Sequence, residues 1–208
     1  QIGLGVTIGA IDTLHTPGSA MTTNVVTDLR IDGDGFFVVS PTGEEDNVFF
    51  TRAGNFTLDA LGNLVTSNGM FVMTVDGEPI QLDLEEISAF SISQDGVIIA
   101  VNADGTTEPT DFQIAVTRVA NPAGLEKVGS NLYRMTPNAN PDGEFEFQVP
   151  NDPEAGTGAI ISGQLEMSNV DLTSEFTEMI VAQRGFQANS RIITTSDEVL
   201  QEVVNLKR

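Results

Sequence analysis

The sequence predicts a mainly β protein, an antiparallel barrel-like or sandwich-like domain followed by one long C-terminal α-helix. Residues 1–165 contain short runs of β-branched and aromatic residues separated by turn dipeptides, a pattern typical of antiparallel hairpins. These dipeptides are Asp34-Gly35, Gly62-Asn63, Asn68-Gly69, Asp76-Gly77, Asp95-Gly96, Asp104-Gly105 and Asp142-Gly143. Residues 166–208 contain no proline and one glycine, and their apolar residues recur every seven positions, as in helices that pack on one another. We therefore predict a β domain over 1–165 and a helical segment over 166–208.

Three runs in the β region predict its strands most clearly. The first, GFFVVS at 35–40, ends before Pro41, and the second, at 47–69, contains two or three short strands. The third, at 90–105, alternates in polarity and folds back at Asp95-Gly96. Residues 149–159 are acidic and rich in proline and glycine, so we expect them to form the loop that closes the β region.

Composition excludes several classes of function. The 208 residues carry 9 Lys and Arg against 30 Asp and Glu, a formal net charge of −21, which repels nucleic acid and anionic membrane surfaces. The chain has no cysteine, so disulfides and thiolate chemistry are absent. No apolar run approaches the roughly 20 residues that span a bilayer, so we expect no membrane insertion. Because the chain begins at Gln1 without a signal-like segment, we expect a fragment or a processed product.

The helical segment is predicted to begin after Asp171, a suitable N-cap residue, and to present a stripe for packing against another helix. The stripe follows the heptad Leu172, Met179, Phe186, Ile193 and Leu200, with Phe176 and Val203 beside it. A second row, formed by Ile192, Val199 and Leu206, widens it toward the C-terminus. The predicted helix–helix or subunit interface comprises Leu172, Phe176, Met179, Phe186, Ile193, Val199, Leu200, Val203 and Leu206.

Such a stripe requires a covering surface, because an isolated helix rich in Thr, Ser and Asn is marginally stable in water. Residues 1–30 are too rich in Gly and Thr to supply a partner helix. We expect that helix to lie upstream of Gln1 or to belong to neighbouring copies of the chain. The alternative is that the helix folds back on its own sheet. Gly185 costs about 1 kcal/mol in mid-helix, which is tolerable if another backbone approaches it closely.

The stretch IDGDGFFVV at 31–39 resembles a calcium loop at first sight. From Asp32, an EF-hand needs an oxygen ligand at its fifth position and a glutamate at its twelfth, where this chain has Phe36 and Gly43. No helix follows the glycines, as a phosphate site would need. We therefore predict a structural turn in which Gly33 and Gly35 adopt positive φ, with weak surface calcium binding as the alternative.

No catalytic or cofactor-binding site is predicted. The single histidine, His15, has no serine, cysteine or metal-ligand motif near it, so we expect a loop or edge residue. Carboxylates are plentiful, but the chain has no Trp and only Tyr133 to stack on a sugar. We expect Lys127 and Arg134 to pair with local carboxylates. The prediction is therefore a protein without enzymatic activity, metal or cofactor.

Four segments together resemble the flagellar axial proteins, the family of hook and basal-body rod subunits. They are DLRIDGDGFFVV, FFTRAGNFTLDALGNLVTSNG, NPAGLEKVGSNLYR and the C-terminal stretch 162–208, and they occur in the family's order. The resemblance implies a structural subunit that polymerises into a helical tube, with the β domain as its outer layer and the helical stripe in its inner layer. It also implies an N-terminal partner helix upstream of Gln1.

Within that family the segment AQRGFQANSRIITTSDEVLQ is more similar to hook subunits, although the short β region has the size of a rod subunit. We expect a compact hook protein, a flexible joint that transmits torque from rod to filament, with the rigid distal rod subunit as the alternative. The resemblance implies export by the flagellar secretion apparatus without a cleaved signal peptide. The implied partners are further copies of the chain, adjacent rod and hook–filament junction proteins and, during assembly, the hook cap. A secreted carbohydrate-binding or calcium-binding β module is a remote alternative.

Overall fold

The computed structural model describes residues 5, 7–9, 11–45, 47–83, 87–102, 105–140 and 144–206. The chain divides into two units, Gln1–Ser168 and Asn169–Arg208. Within the described residues, the first unit is built of short antiparallel strands and the second contains one long helix. The predicted fold class, mainly β with a long C-terminal helix, is confirmed.

The described strands are short, and most are joined by tight turns. They are β1 (Ala20–Thr22), β2 (Leu29–Asp32), β3 (Phe36–Ser40), β4 (Phe49–Thr51), β5 (Phe56–Leu58), β6 (Leu64–Thr66), β7 (Phe71–Val72), β8 (Ile87–Ile92), β9 (Val97–Asn102), β10 (Thr107–Gln113), β11 (Val116–Thr117), β12 (Glu126–Gly129), β13 (Leu132–Arg134), β14 (Ala159–Ser162) and β15 (Gln164–Glu166). A 3₁₀ turn, Pro122–Gly124, lies between β11 and β12.

Strand β3 lies at the centre of the main sheet, whose order is β12-β13-β4-β3-β7-β6-β5. One edge of β3 pairs with β4, opposing Val38 to Phe50. The other edge is shared, because β11 pairs with Phe36 and Phe37 whereas β7 pairs with Val39 and Ser40. Phe37 and Val39 are therefore each paired with a strand on both sides.

Both faces of β3 are buried, which explains its unbroken apolar sequence. Phe37 and Val39 belong to one hydrophobic cluster, which also contains Leu29 and Phe56. Phe36 and Val38 belong to a second cluster on the opposite face, with Phe50 among its members. Burying each such side chain contributes roughly 1.5–3 kcal/mol, so this strand stabilises both halves of the β unit.

Three smaller sheets complete the β unit: β10-β9-β8, β14-β2 and β1-β15. The predicted hairpin at Asp95-Gly96 is the β8–β9 connection, where the amide of Gly96 donates to the carbonyl of Ser93 at 3.0 Å. The predicted turn glycines Gly62, Gly69 and Gly77 have φ between 79° and 82°. The predicted turn at Asp142-Gly143 and residue 104 of the turn at 104–105 lie outside the described residues.

The β unit extends past residue 165, its predicted end, into the predicted helical segment. Glu166, which the sequence assigned to that segment, lies in strand β15, where it pairs with Ala20 of β1. The cause is a distant partner, because Gln164–Glu166 follow Gly163, whose φ is 77°, and align with Ala20–Thr22 near the start of the chain. The helix α1 spans Leu172–Leu206, 35 residues, or about 52 Å.

Helix α1 starts at the predicted cap. The amide of Thr173 donates to Oδ1 of Asp171 at 2.9 Å, which satisfies one of the free N–H groups at the helix N-terminus. Glu175 lies in the first turn, where its negative charge interacts favourably with the positive end of the helix dipole. The basic residues Lys207 and Arg208, which would complement the helix dipole at its other end, lie outside the described residues. No described helix combines the length and hydropathy that crossing a bilayer requires.

Candidate assembly surface

The large apolar side chains of α1 are exposed along its whole length, and none of its residues is buried. All nine residues of the predicted interface belong to this surface, with 51 to 86% of each residue exposed. They are Leu172, Phe176, Met179, Phe186, Ile193, Val199, Leu200, Val203 and Leu206. Contiguous exposed apolar surface of this kind marks an interaction site in most soluble proteins.

The apolar surface of α1 widens in its C-terminal half. Neighbouring helical residues project about 100° apart, so the row of Ile193 and Leu200 lies beside the row of Ile192 and Val199. Both rows are more than half exposed. A heptad repeat drifts by about 20° per heptad on a straight helix, so a helix that covers these rows must coil around α1.

The contacts of the described residues do not explain why position 185 in α1 is a glycine. A Cβ atom built on it meets nothing within 4 Å, and its backbone is helical. Alanine at this position would favour the helix by about 1 kcal/mol. The position therefore has open space beside the backbone, at a point where a second backbone could approach.

Several polar side chains of α1 are satisfied within the helix. The hydroxyls of Thr194 and Thr195 both donate to the carbonyl of Arg191, each at 2.9 Å, and Thr177 donates to the carbonyl of Thr173 at 2.8 Å. These threonines thus need no external partner for their hydroxyl groups. They are compatible with close packing of a neighbouring helix.

The β unit is closed by a contact between its first and last strands. Strand β1 pairs with β15, and Arg52 Nε lies 3.0 Å from Oε2 of Glu166. The other carboxylate oxygen of Glu166 accepts a hydrogen bond from the amide of Gly18 at 2.9 Å. The carbonyl of Ser19 accepts from the amide of Met167. Residues that precede β1 and residues that follow β15 are therefore held side by side.

The predicted turn at 31–39 leaves little space around its two glycines. Gly33 and Gly35 have φ of 128° and 138°, a region that favours glycine. A Cβ on Gly35 would lie 2.5 Å from Cγ1 of Val116, and one on Gly33 would lie 2.9 Å from Cα of Gly158. The carbonyl of Gly33 accepts a hydrogen bond from Arg52 at 2.8 Å, so the turn contributes to packing.

His15 lies against the main sheet, between two aromatic rings. Its ring centroid is 5.3 Å from that of Tyr133 on β13 and 6.0 Å from that of Phe36 on β3, both in edge-on arrangements. Burial, together with the positive charges of Arg52 and Lys127, lowers the pKa of His15 below its ordinary value of 6.5. The sequence alone gave no signal for this contact, because the three rings come from distant positions.

The described residues contain no group of three or more His, Cys, Asp or Glu side chains placed to hold a metal ion. The ion pairs between described residues involve Arg30 and Arg52, so the pairing of Lys127 and Arg134 with local carboxylates stays a prediction. Arg134 lies over the ring of Phe49, 5.5 Å from its centroid, where a guanidinium gains from a cation–π contact.

A closed β unit followed by a long helix with exposed heptad rows is typical of a structural subunit that packs through helices. The model of the family described as "Flagellar basal body rod FlgEFG protein C-terminal" matches residues 161–206. The model described as "Flagellar hook protein FlgE/F/G D1 domain" matches residues 30–100. The first match covers the end of β14, β15 and α1, and the second covers the part of the β unit from β2 into β9.

Flagellar proteins of two bacteria match all or most of the chain. The flagellar basal-body rod protein FlgG of Bacillus subtilis is 52% identical over 100% of this chain and 75% of its own length. The protein of the same name from Borreliella burgdorferi is 39% identical over 100% of this chain and 75% of its length. The flagellar hook protein FlgE of Borreliella burgdorferi is 37% identical over 81% of this chain and 36% of its own length.

The chain belongs to the family of flagellar hook and basal-body rod proteins. The family predicted from the four sequence segments is thereby confirmed. Its members named here are structural components of the flagellum. This assignment agrees with a chain that the sequence predicts to lack a catalytic site.

Proposed function

We propose that this chain is a subunit of the flagellar rod, in the distal and rigid part of that shaft. The observation that carries the proposal is the extent of the matches. Rod proteins from Bacillus subtilis and Borreliella burgdorferi align with the full chain and leave a quarter of their own length outside it. The hook protein aligns with less of this chain, and only 36% of its own length takes part.

The comparisons favour this rod alternative over the hook protein that the sequence analysis preferred. That preference depended on the segment AQRGFQANSRIITTSDEVLQ in α1. The family model that covers 161–206 describes rod and hook proteins together, so this segment is a poor basis for choosing between them. The size of the β unit, which the sequence analysis noted as typical of a rod subunit, carried the better signal.

We further propose that the apolar rows of α1 form the subunit interface of a polymer. The support is physical: nine apolar residues more than half exposed and a glycine with open space beside it. The two rows of the C-terminal half are too wide for a single seam, so they suit contact with two helices. One would come from the same chain's N-terminal side and one from a neighbouring copy.

Such contacts are heterologous, and heterologous contacts that do not close under rotation generate a filament. In this proposal the β unit forms the outer layer, and the partners are further copies and the adjacent rod and hook proteins. Export through the flagellar secretion apparatus, without a cleaved signal peptide, is part of the same proposal. A flexible hook made of this chain is the second candidate, supported by its 37% identity to a hook protein.

Complementation in Bacillus subtilis tests the choice between rod and hook. The gene that encodes this chain would replace either the gene of the rod protein FlgG or that of the hook protein FlgE in separate strains. We expect basal bodies, hooks and swimming to return in the first strain and to remain absent in the second. Rescue of the hook-deficient strain alone would contradict the rod proposal.

A matched variant distinguishes failed assembly from failed folding. Leu200→Asp would place a charge in the exposed row of α1, whereas Gln201→Asp places the same charge beside it, outside the predicted interface. We expect only the first variant to abolish complementation while both proteins are produced and exported. Equal loss in both variants would remove the support for the proposed interface.

A further inference from the structure

The two-stranded ribbon formed by β1 and β15 has two different faces. Ala20 lies opposite Glu166, and Met21 lies opposite Leu165. Directly opposed residues of two antiparallel strands project from the same face, and successive residues along a strand alternate between faces. The carboxylate of Glu166 is bonded to Arg52, which follows β4, so the face of Glu166 is directed toward the main sheet. Met21 and Leu165 therefore project from the other face of the ribbon.

Two methionines lie on this other face. The amide of Met167 donates a hydrogen bond to the carbonyl of Ser19 at 2.9 Å, so the pairing of the ribbon continues for one more residue and places Met167 on the same face as Met21. These methionines are 51% and 44% exposed. Because its thioether chain is flexible and polarizable, methionine adapts to the shape of the surface that covers it. This face of the ribbon is therefore suited to contact with another protein surface.

The turn that follows β1 adds two more apolar side chains, Val25 and Val26, which are 49% and 39% exposed. The backbone of this turn is fixed against the start of β15. The amide of Asn24 donates to the carbonyl of Gly163 at 3.1 Å, and the hydroxyl of Ser162 donates to the carbonyl of Val26 at 2.9 Å. Asn24 has a φ of 59°, a region in which asparagine is enriched. The stem surface, as we call this set, consists of Met21, Val25, Val26 and Met167.

The stem surface is uncharged in a strongly acidic chain. Charged residues make up 19% of the sequence, and the formal net charge is −21. Residues 13–27 nevertheless contain no Asp, Glu, Lys or Arg, and residues 155–170 contain only Glu166. The side chain of Glu166 is 12% exposed and is paired with Arg52. Two copies of the chain can therefore meet at this surface without placing like charges opposite each other, an arrangement that opposes association.

We propose that the stem surface binds a second copy of this chain, in a contact of the β unit that is separate from the apolar rows of α1. This inference rests on the proposed function, because a polymer of acidic subunits needs contact surfaces that do not repel one another. A basic partner would be attracted to the acidic surface elsewhere on the chain, whereas an identical acidic copy is accommodated where charge is absent. Charged residues are likewise depleted in the cores of protein interfaces. Since hydrogen bonds already fix the ribbon and the turn, binding orders few additional groups.

The six methionines of the chain test the proposal without any substitution. Oxidation of methionine to its sulfoxide follows the exposure of the side chain, and mass spectrometry measures it at each site. The full-length protein is treated briefly with hydrogen peroxide before and after polymerisation. We expect Met21 and Met167 to react about tenfold more slowly in the polymer, because burial lowers their exposure from about half to a few per cent. Met73, which is 0% exposed, should react slowly in both states.

Met179 separates this inference from the proposed role of α1. It lies in the predicted interface of that helix and is 51% exposed, so its protection reports contact through α1. If Met179 is protected while Met21 and Met167 react as in separate subunits, the inference is wrong and the proposed role of α1 stands. If no methionine becomes protected at any protein concentration, a second copy does not cover the stem surface and the inference is again wrong. Complementation of the rod-deficient strain then decides the proposed function by itself.

Isotope labelling shows whether the protecting chain is a second copy or another part of the same chain. The chain has no cysteine, so Val25→Cys supplies a sole thiol for a photo-activated cross-linker. A small amount of this unlabelled variant is polymerised with an excess of ¹⁵N-labelled parent protein, and the cross-linked peptides are analysed by mass spectrometry. We expect cross-links to ¹⁵N-labelled peptides. Cross-links confined to unlabelled peptides would show that the chain covers its own stem surface, which would overturn the proposal.

Discussion

The guanidinium of Arg52 and the carboxylate of Glu166 join the end of β4 to β15, with Nε 3.0 Å from Oε2. Both side chains are largely buried, 20% and 12% exposed. The same guanidinium donates to the carbonyl of Gly33, and the same carboxylate accepts from the amide of Gly18. One ion pair thus connects the turn between β2 and β3, the main sheet and the chain segments on either side of the β unit.

Removing one partner of this pair should destabilise the β unit. We expect Glu166→Ala to lower the free energy of unfolding by about 2 kcal/mol or more, because it removes a largely buried carboxylate and so leaves both Arg52 and the amide of Gly18 without their acceptor. Asp32→Ala is the matched control, since Asp32 pairs with Arg30 at the same 3.0 Å distance but is 60% exposed. Its effect should stay under about 1 kcal/mol. Urea denaturation measures the free energy of unfolding of the two variants. Equal losses would contradict the larger contribution assigned to the pair of Arg52 and Glu166.

Alanine at Gly35 should destabilise the chain far more than alanine at Gly69. Both glycines have positive φ, which costs a residue with a Cβ about 1–2 kcal/mol. At Gly35 the added atom would also lie 2.5 Å from the buried side chain of Val116, whereas at Gly69 it meets nothing within 4 Å. We expect a loss of about 3 kcal/mol or more for Gly35→Ala. Thermal unfolding of the two variants gives the comparison.

Charges placed in the exposed rows of α1 should leave the stability of the β unit unchanged and weaken assembly. Ile193→Asp replaces a side chain in a residue that is 64% exposed, so its effect on unfolding of the β unit should be within about 0.5 kcal/mol. Sedimentation of the full-length protein should show fewer polymers than for Ser190→Asp, which lies outside the predicted interface. A normal polymer yield for Ile193→Asp would contradict the proposed packing surface.

Gly185→Ala separates helix propensity from helix packing. The substitution should raise the helix content of the unassembled chain, because alanine is favoured by about 1 kcal/mol over glycine within a helix. If a neighbouring backbone occupies the open space at this position, the same substitution should reduce polymer formation. Circular dichroism measures the helix content and light scattering measures polymer formation in the same preparation. Improved assembly of the variant would exclude a close approach of a second backbone at Gly185.

Added salt should strengthen assembly of the full-length protein. Each chain carries 30 acidic against 9 basic residues, so neighbouring copies repel one another. Screening shortens the range of that repulsion from about 10 Å at 0.1 M to about 3 Å at 1 M salt. The concentration needed for polymerisation should therefore fall between these two salt levels. A concentration that rises steadily would mean that attractive ion pairs between copies outweigh the repulsion.

The elements that the sequence predicted well depend on neighbours in sequence. The β8–β9 hairpin follows from Asp95-Gly96, and the start of α1 follows from Asp171, whose side chain accepts from the amide of Thr173. The apolar run of β3 predicted a strand, and burial on both faces accounts for it. In each case the physical cause lies within a few residues, so local pattern is sufficient.

The features that the sequence did not predict depend on partners far along the chain. Glu166 looks helical in isolation, but Ala20 supplies its strand partner. His15 lacks any local motif because Phe36 and Tyr133, which enclose it, are distant. Arg134 lies over Phe49, a residue of another strand. The spacing of apolar and polar residues along the sequence carries no information about such contacts, because they form only when distant strands pair in the folded sheet.

Because β1 pairs with β15, the residues between Thr22 and Gln164 form a loop whose two ends lie side by side. The number of residues in this loop therefore does not alter the distance between the segments that flank it. Domains whose ends meet in this way tolerate insertions, and the entropic penalty of a longer loop grows only slowly with its length. Relatives of very different size can therefore share one pair of flanking segments, and the part of the chain between them can change in size without separating those segments.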